Sequence, residues 1–236
     1  GSALFRSFGG TKSYGSKRHS WGGYACFARR EREVERVSYD VITTSAARGI
    51  LEAIHWKPAI RWQIERIHVL KPIRFESILR NEVGSKISAR NVTSAMNAKS
   101  TQDLHLVSDE DRQQRAATVL RDVAYVVEAH FEMTSKAGSD DNVGKHLDQF
   151  NRRARKGQCF HQPCMGTREF AAHFALLGET DQWPQSELDE AQKNKDLGWM
   201  LHDIDFAAGH VPHFFRAELK DGVVEVPAFQ SEGLKS

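Results

Sequence analysis

Between positions 117 and 133 the apolar side chains fall on odd numbers: Val119, Val123, Tyr125, Val127, Ala129, Phe131 and Met133. Period-two order sustained this far specifies a long β-strand with one packed face, about 55 Å from end to end. A strand cannot satisfy its backbone alone, so the chain is committed to a sheet. With 236 residues it has enough material for one large domain, or for a domain with a smaller companion.

Two helices are legible on either side of that strand. Thr43, Thr44 and Ser45 offer N-caps to a helix whose apolar face is Ala46, Ala47, Ile50, Leu51 and Ile54, and Pro58 ends it. The second is capped by Asp141 or Asn142 and carries the stripe Val143, Leu147, Phe150 and Ala154. Strand patterns occur over 21–27, over 60–69 with a bulge expected near Glu65 and Arg66, and over about 165–176. The polar stretch 76–115 reads as a long mobile loop. The resulting order, β-α-β-β-α-β, is that of a ferredoxin-like (RRM-like) α+β domain. Beyond it, 199–206, 212–219 and 223–226, the last two joined through Asp221-Gly222, predict a small C-terminal antiparallel β-sheet. The expected division is a flexible or tag-derived 1–20, in which the first strand starts, a ferredoxin-like domain over 21–178 and a small sheet over 179–236.

Charge is distributed unevenly along this plan. Residues 176–236 hold 5 Lys and Arg against 12 Asp and Glu, while 1–175 hold 28 against 19. A basic body joined to an acidic tail suggests a polyanion-binding surface and an appendage that faces something else. No run of 18 apolar residues is present, which excludes a helical membrane span. Three cysteines, an odd number, argue against a disulfide framework and for a reducing compartment, the cytoplasm.

Three constellations could carry chemistry. Gly144-Lys145-His146 opens the second helix, where free N–H groups and the helix dipole favour an anion, a lysine supplies point charge and a histidine exchanges protons near neutral pH. Read structurally, they are a boundary histidine and a solvated lysine. His55-Trp56-Lys57 ends the first helix and offers a proton carrier, a base-stacking ring and a cation; the structural reading is a capping cluster with Trp56 in the core. The dipole at that helix end favours a protonated His55. Cys159-x-His161-x-x-Cys164 has no second ligand pair at zinc-site spacing, and no compact carboxylate pair suggests a two-metal nuclease. The expectation is no metal and no cofactor. Arg152, Arg153 and Arg155 add a basic face to the second helix.

Longer runs carry a resemblance. Val34-Glu35-Arg36-Val37-Ser38-Tyr39-Asp40-Val41-Ile42-Thr43, Ser45 through Pro58, Ile67-His68-Val69-Leu70-Lys71-Pro72-Ile73, Arg80-Asn81-Glu82-Val83, Asp122-Val123-Ala124-Tyr125, Gly144-Lys145-His146 and Gly166-Thr167-Arg168-Glu169-Phe170 together resemble the CRISPR-associated Cas-five family of subtype I-C, across about 21–236. The resemblance implies a repeat-associated fold of the kind laid out above. It implies a metal-independent endoribonuclease that cuts precursor CRISPR RNA within its repeat hairpin and leaves a 2′,3′-cyclic phosphate. It also implies a protein that then holds the 5′ handle among the backbone and large subunits of the type I-C surveillance complex, or a non-catalytic scaffold that binds RNA and double-stranded DNA there. Of the family's catalytic tyrosine, lysine and histidine, the last two match Lys145 and His146, and His55 stands where the tyrosine would. Trp56, Lys57, Arg152, Arg153 and Arg155 are the RNA contacts expected around them.

Overall fold

The computed structural model describes residues 16–29, 36–102, 104–178, 180–205, 209–229 and 234–235. The expectations for the first fifteen residues and for Phe206 lie outside them. In chain order the elements are β1 (Ser16–Ala25), β2 (Arg36–Val37), α1 (Thr44–Ile54), β3 (Ile60–Val69), β4 (Phe75–Val83), α2 (Ala89–Ala98), β5 (Arg112–Met133), α3 (Val143–Arg155), β6 (His173–Leu177), α4 (Glu190–Lys193), β7 (Lys195–Asp205), β8 (Val211–Lys220) and β9 (Val223–Glu225).

β5 is the spine. Along its C-terminal half it lies between β1 and β3, antiparallel to both, and β6 extends the sheet beyond β1, for an order β6-β1-β5-β3. The register shift expected in β3 falls between Ile64 and Arg66. α1 and α3 pack on one face, with Thr43 and Asn142 as their N-caps. The opposite face is covered too: Leu70, Ala124 and Val126 form a second cluster beneath the segment after β6, pinned by Glu187 N–H to the Leu70 carbonyl (2.7 Å) and by the Ser186 hydroxyl to the Val69 carbonyl (3.2 Å). That segment is why 123–127 is buried throughout rather than on alternate residues.

Three expectations are corrected. The stretch 76–115 is not a loop: β4 pairs with the N-terminal half of β5 from Phe75↔Leu120 to Val83↔Arg112, and α2 sits beyond them. The signal is weak because this arm alternates Glu76, Ile78, Arg80 and Glu82 against exposed Phe75, Leu79 and Val83, so neither face reads as core. The acidic tail does not simply face outward. It builds the expected antiparallel β7–β8–β9, and β9 joins β3 edge to edge. Its carboxylates meet body cations: Asp203 takes a two-pronged contact from Arg48 (2.6 and 3.0 Å), Glu225 from Arg66 (2.9 Å) and Glu187 from Lys71 (2.7 Å). Part of the charge asymmetry is therefore an internal complementarity. The strand expected over 165–176 is also shorter, because 164–171 form a tight loop closed by Met165 N–H to the Phe170 carbonyl (2.7 Å).

That loop clasps the end of β1, and Gly166 is the residue that permits it. Its φ is +88°, and a Cβ there would stand 2.0 Å from the Cys26 carbonyl oxygen. Gly166→Ala should lower stability by at least ~2 kcal/mol, measured as a shift in the urea midpoint. An unchanged midpoint would contradict the clasp.

Candidate active site

The end of α1 is held by three different donors. Pro58 prevents the helix from continuing and leaves its last carbonyls without intrahelical partners. The Ala53 carbonyl accepts from Phe160 N–H (2.7 Å), that of Ile54 from the Arg153 guanidinium (3.0 Å), and that of His55 from the Trp62 indole N–H (3.1 Å). Trp62 is itself locked between Phe131 and Phe150, with ring centroids 5.1 and 4.5 Å away. β3, β5 and α3 thus converge on the residue that ends α1.

The start of α3 is equally determined. Asn142 Oδ1 accepts from Lys145 N–H (2.9 Å), and Asp141 Oδ2 accepts from Gly138 N–H (3.0 Å), which folds the preceding turn. These two ends bring the sequence-distant histidines together: His55 Nε2 lies 3.1 Å from His146 Nδ1. His146 Nε2 lies 3.1 Å from Asp141 Oδ1. Lys145 projects from the same turn, half exposed, with Nζ 3.2 Å from the Asp140 carbonyl and 3.8 Å from Asp141 Oδ1. An ion pair at such exposure is worth little, so the ammonium is free to turn to a phosphate.

His55, Lys145 and His146 therefore form one cluster. The expected protonation of His55 is not found. Its ring is fully buried, and its pKa is pushed down to about 4, first by desolvation and then by the charges of Arg153, His146 and Lys57. Burial outweighs the helix-end dipole, and the ring is a neutral base at pH 7. His146 is 1% exposed, so it is a buried residue rather than one at the edge of the stripe. Trp56, at 55% exposure, and Lys57 face solvent, against the structural reading that put Trp56 in the core. Arg152 and Arg155 are exposed on α3, whereas Arg153 is turned inward as the α1 cap. Sequence reasoning missed Asp141 as a partner of His146 and Trp62 as the anchor of His55. Asp141 is assigned there to capping, and nothing in the β3 alternation marks the indole N–H. No group of three or more metal-binding side chains gathers anywhere among the described residues.

Because His55 has a lower pKa folded than unfolded, protons bind the unfolded chain preferentially between about pH 6.5 and 4. Its contribution to stability is complete above that window and is lost as pH falls through it. The urea midpoint of the natural chain should thus fall more steeply from pH 7 to 4.5 than that of His55→Tyr. Parallel slopes would contradict a buried neutral His55.

A family model described as CRISPR-associated protein (Cas_Cas5) matches residues 18–227. The chain is 67% identical over 217 residues to the CRISPR pre-crRNA endoribonuclease Cas5d of Mannheimia succiniciproducens, covering 92% of this chain and 96% of that protein. It is 41% identical over 227 residues to the protein of the same name from Thermus thermophilus, covering 88% and 89%. In fold it is similar to the crystal structure of a CRISPR-associated protein, with a TM-score of 0.69, 21% identity and coverage of 95% and 97%. With a family match across most of its length and a relative this close, the chain belongs to the CRISPR-associated Cas5 family, in its Cas5d branch.

Proposed function

We propose that the protein is a metal-independent endoribonuclease that cuts precursor CRISPR RNA within the repeat hairpin. The observation that carries the reading is the meeting of the two helix ends, His55 Nε2 3.1 Å from His146 Nδ1 with Lys145 beside them. The names of the close relatives from Mannheimia succiniciproducens and Thermus thermophilus agree with it. RNA lies against Trp56, Lys57, Arg152 and Arg155, with the scissile phosphate at the start of α3; Arg153 reaches the same surface once released from the Ile54 carbonyl. His55, held neutral, takes the 2′-hydroxyl proton as the oxygen attacks phosphorus. Lys145 offsets the charge on the phosphorane, and the histidine pair returns a proton to the departing 5′-oxygen, leaving a 2′,3′-cyclic phosphate.

The ferredoxin-like reading of 21–178 is supported by the strand order β6-β1-β5-β3 with both main helices on one face. The small sheet over 179–236 we read as an accessory unit packed onto the same core through β9. After cleavage the protein holds the 5′ handle among the backbone and large subunits of the type I-C surveillance complex in the cytoplasm. Among the described residues no helix is long and apolar enough to cross a membrane.

The second reading is a scaffold of that complex that binds RNA and double-stranded DNA without cutting. The observation in its favour is that both histidine rings are closed off from solvent, so a nuclease has to open one of them as RNA docks.

A single-turnover assay on repeat RNA separates the readings. Cleavage should proceed in EDTA and stop when the ribose at the cut site is 2′-deoxy. Lys145→Ala and His146→Ala should each slow it by at least ~10²-fold with affinity little changed. Dependence on Mg²⁺ would refute the mechanism, and binding without any cutting would establish the scaffold.

A further inference from the structure

Asp141 stands apart from the residues that the proposed reaction uses, yet its two carboxylate oxygens are divided between two tasks. Oδ2 accepts from Gly138 N–H at 3.0 Å, which fixes the turn. Oδ1 lies 3.1 Å from His146 Nε2, on the side of the ring opposite His55. The Gly138 N–H first, and then His146 and Lys145, hold the carboxyl below its ordinary pKa, so it is ionised and can only accept. The proton between them must therefore sit on Nε2. A neutral His146 then has its lone pair on Nδ1, against His55 Nε2, and His55 in turn must carry its proton there. His55 Nδ1 is left bare, and it is a buried polar atom with no hydrogen-bond partner among the described residues.

We propose that Asp141 is the positioning residue of this site: it holds His146 in the tautomer that turns Nδ1 to His55, and so makes the two rings a single proton relay. The inference rests on the nuclease reading and deepens it. When His55 Nδ1 takes the 2′-hydroxyl proton, its Nε2 proton passes to His146 Nδ1. The positive charge is then on His146, paired with Asp141, instead of on His55, which faces Arg153 and Lys57. One proton has left the ribose and one has been gained by the pair; its return to the 5′-oxygen restores both neutral rings. A group placed in this way lets a weakly basic imidazole act as a base without holding the charge itself.

The groups that face the pair are Asp141 and Lys145 at the α3 turn, Lys57 beyond α1, Arg153 from α3 and the uncharged Phe131 ring from β5. The test begins with the natural chain labelled with ¹⁵N-histidine, whose neutral His146 should show its proton on Nε2. Asp141→Asn should cut RNA at least ~10-fold more slowly with affinity within about two-fold, and should shift the acid limb of the rate profile to lower pH. Asp141→Glu should recover part of the rate. A natural chain that cuts RNA but carries the His146 proton on Nδ1 overturns the relay alone and leaves the nuclease reading intact; this readout needs no folded variant. An Asp141→Asn protein with an unshifted profile also overturns it, because a turn cap alone would give that result. A natural chain that cuts nothing overturns the nuclease reading and the relay with it.

Discussion

One hydrogen bond organises the region where α1, β3 and α3 meet: the Trp62 indole N–H to the His55 carbonyl. A buried indole must find an acceptor, and the carbonyls freed by Pro58 at the end of α1 supply it. The same ring packs on Phe131 and Phe150, so the bond is backed by aromatic contacts on two sides. Through it the position of His55 is tied to the central sheet, and through Phe150 to the helix that carries His146. The histidine contact at 3.1 Å is a consequence of that anchorage, not of any local sequence preference.

The elements were largely legible in the sequence, since α1, α3, the β3 bulge and the Asp221-Gly222 hairpin follow from periodicity and caps that act over a few residues. What was not legible depends on surroundings. The β4–β5 arm has no buried face to write into its pattern, so composition alone made it look like a loop. His55 was expected to be charged because a helix end is a local property, whereas its burial and the approach of Arg153 come from residues almost a hundred positions away. Lys145 and His146 could be picked out by motif, but Asp141 could not: its bond to His146 depends on the turn closed by Gly138.

The proposed reaction places two opposing demands on this region. A proton-transfer pair works best in a dry, fixed setting, and both rings lie in one. An RNA strand would need the opposite, a solvated basic surface; Trp56, Lys57, Lys145, Arg152 and Arg155 are exposed to solvent and are the contacts proposed for it. Arg153 stands between the two, exposed in part and bonded to the Ile54 carbonyl, in a place where a phosphate would compete for it. The acidic tail complements this arrangement by drawing Arg48, Arg66 and Lys71 into ion pairs away from the α1–α3 junction.

The most direct test of the account is a structure of the protein with repeat RNA blocked by a 2′-deoxy substitution at the cut site. The account requires the scissile phosphate to rest on Lys145 at the start of α3, with the adjoining ribose against His55 Nδ1. A strand that crosses a different face, with the His55–His146 pair still sealed beneath it, would contradict it.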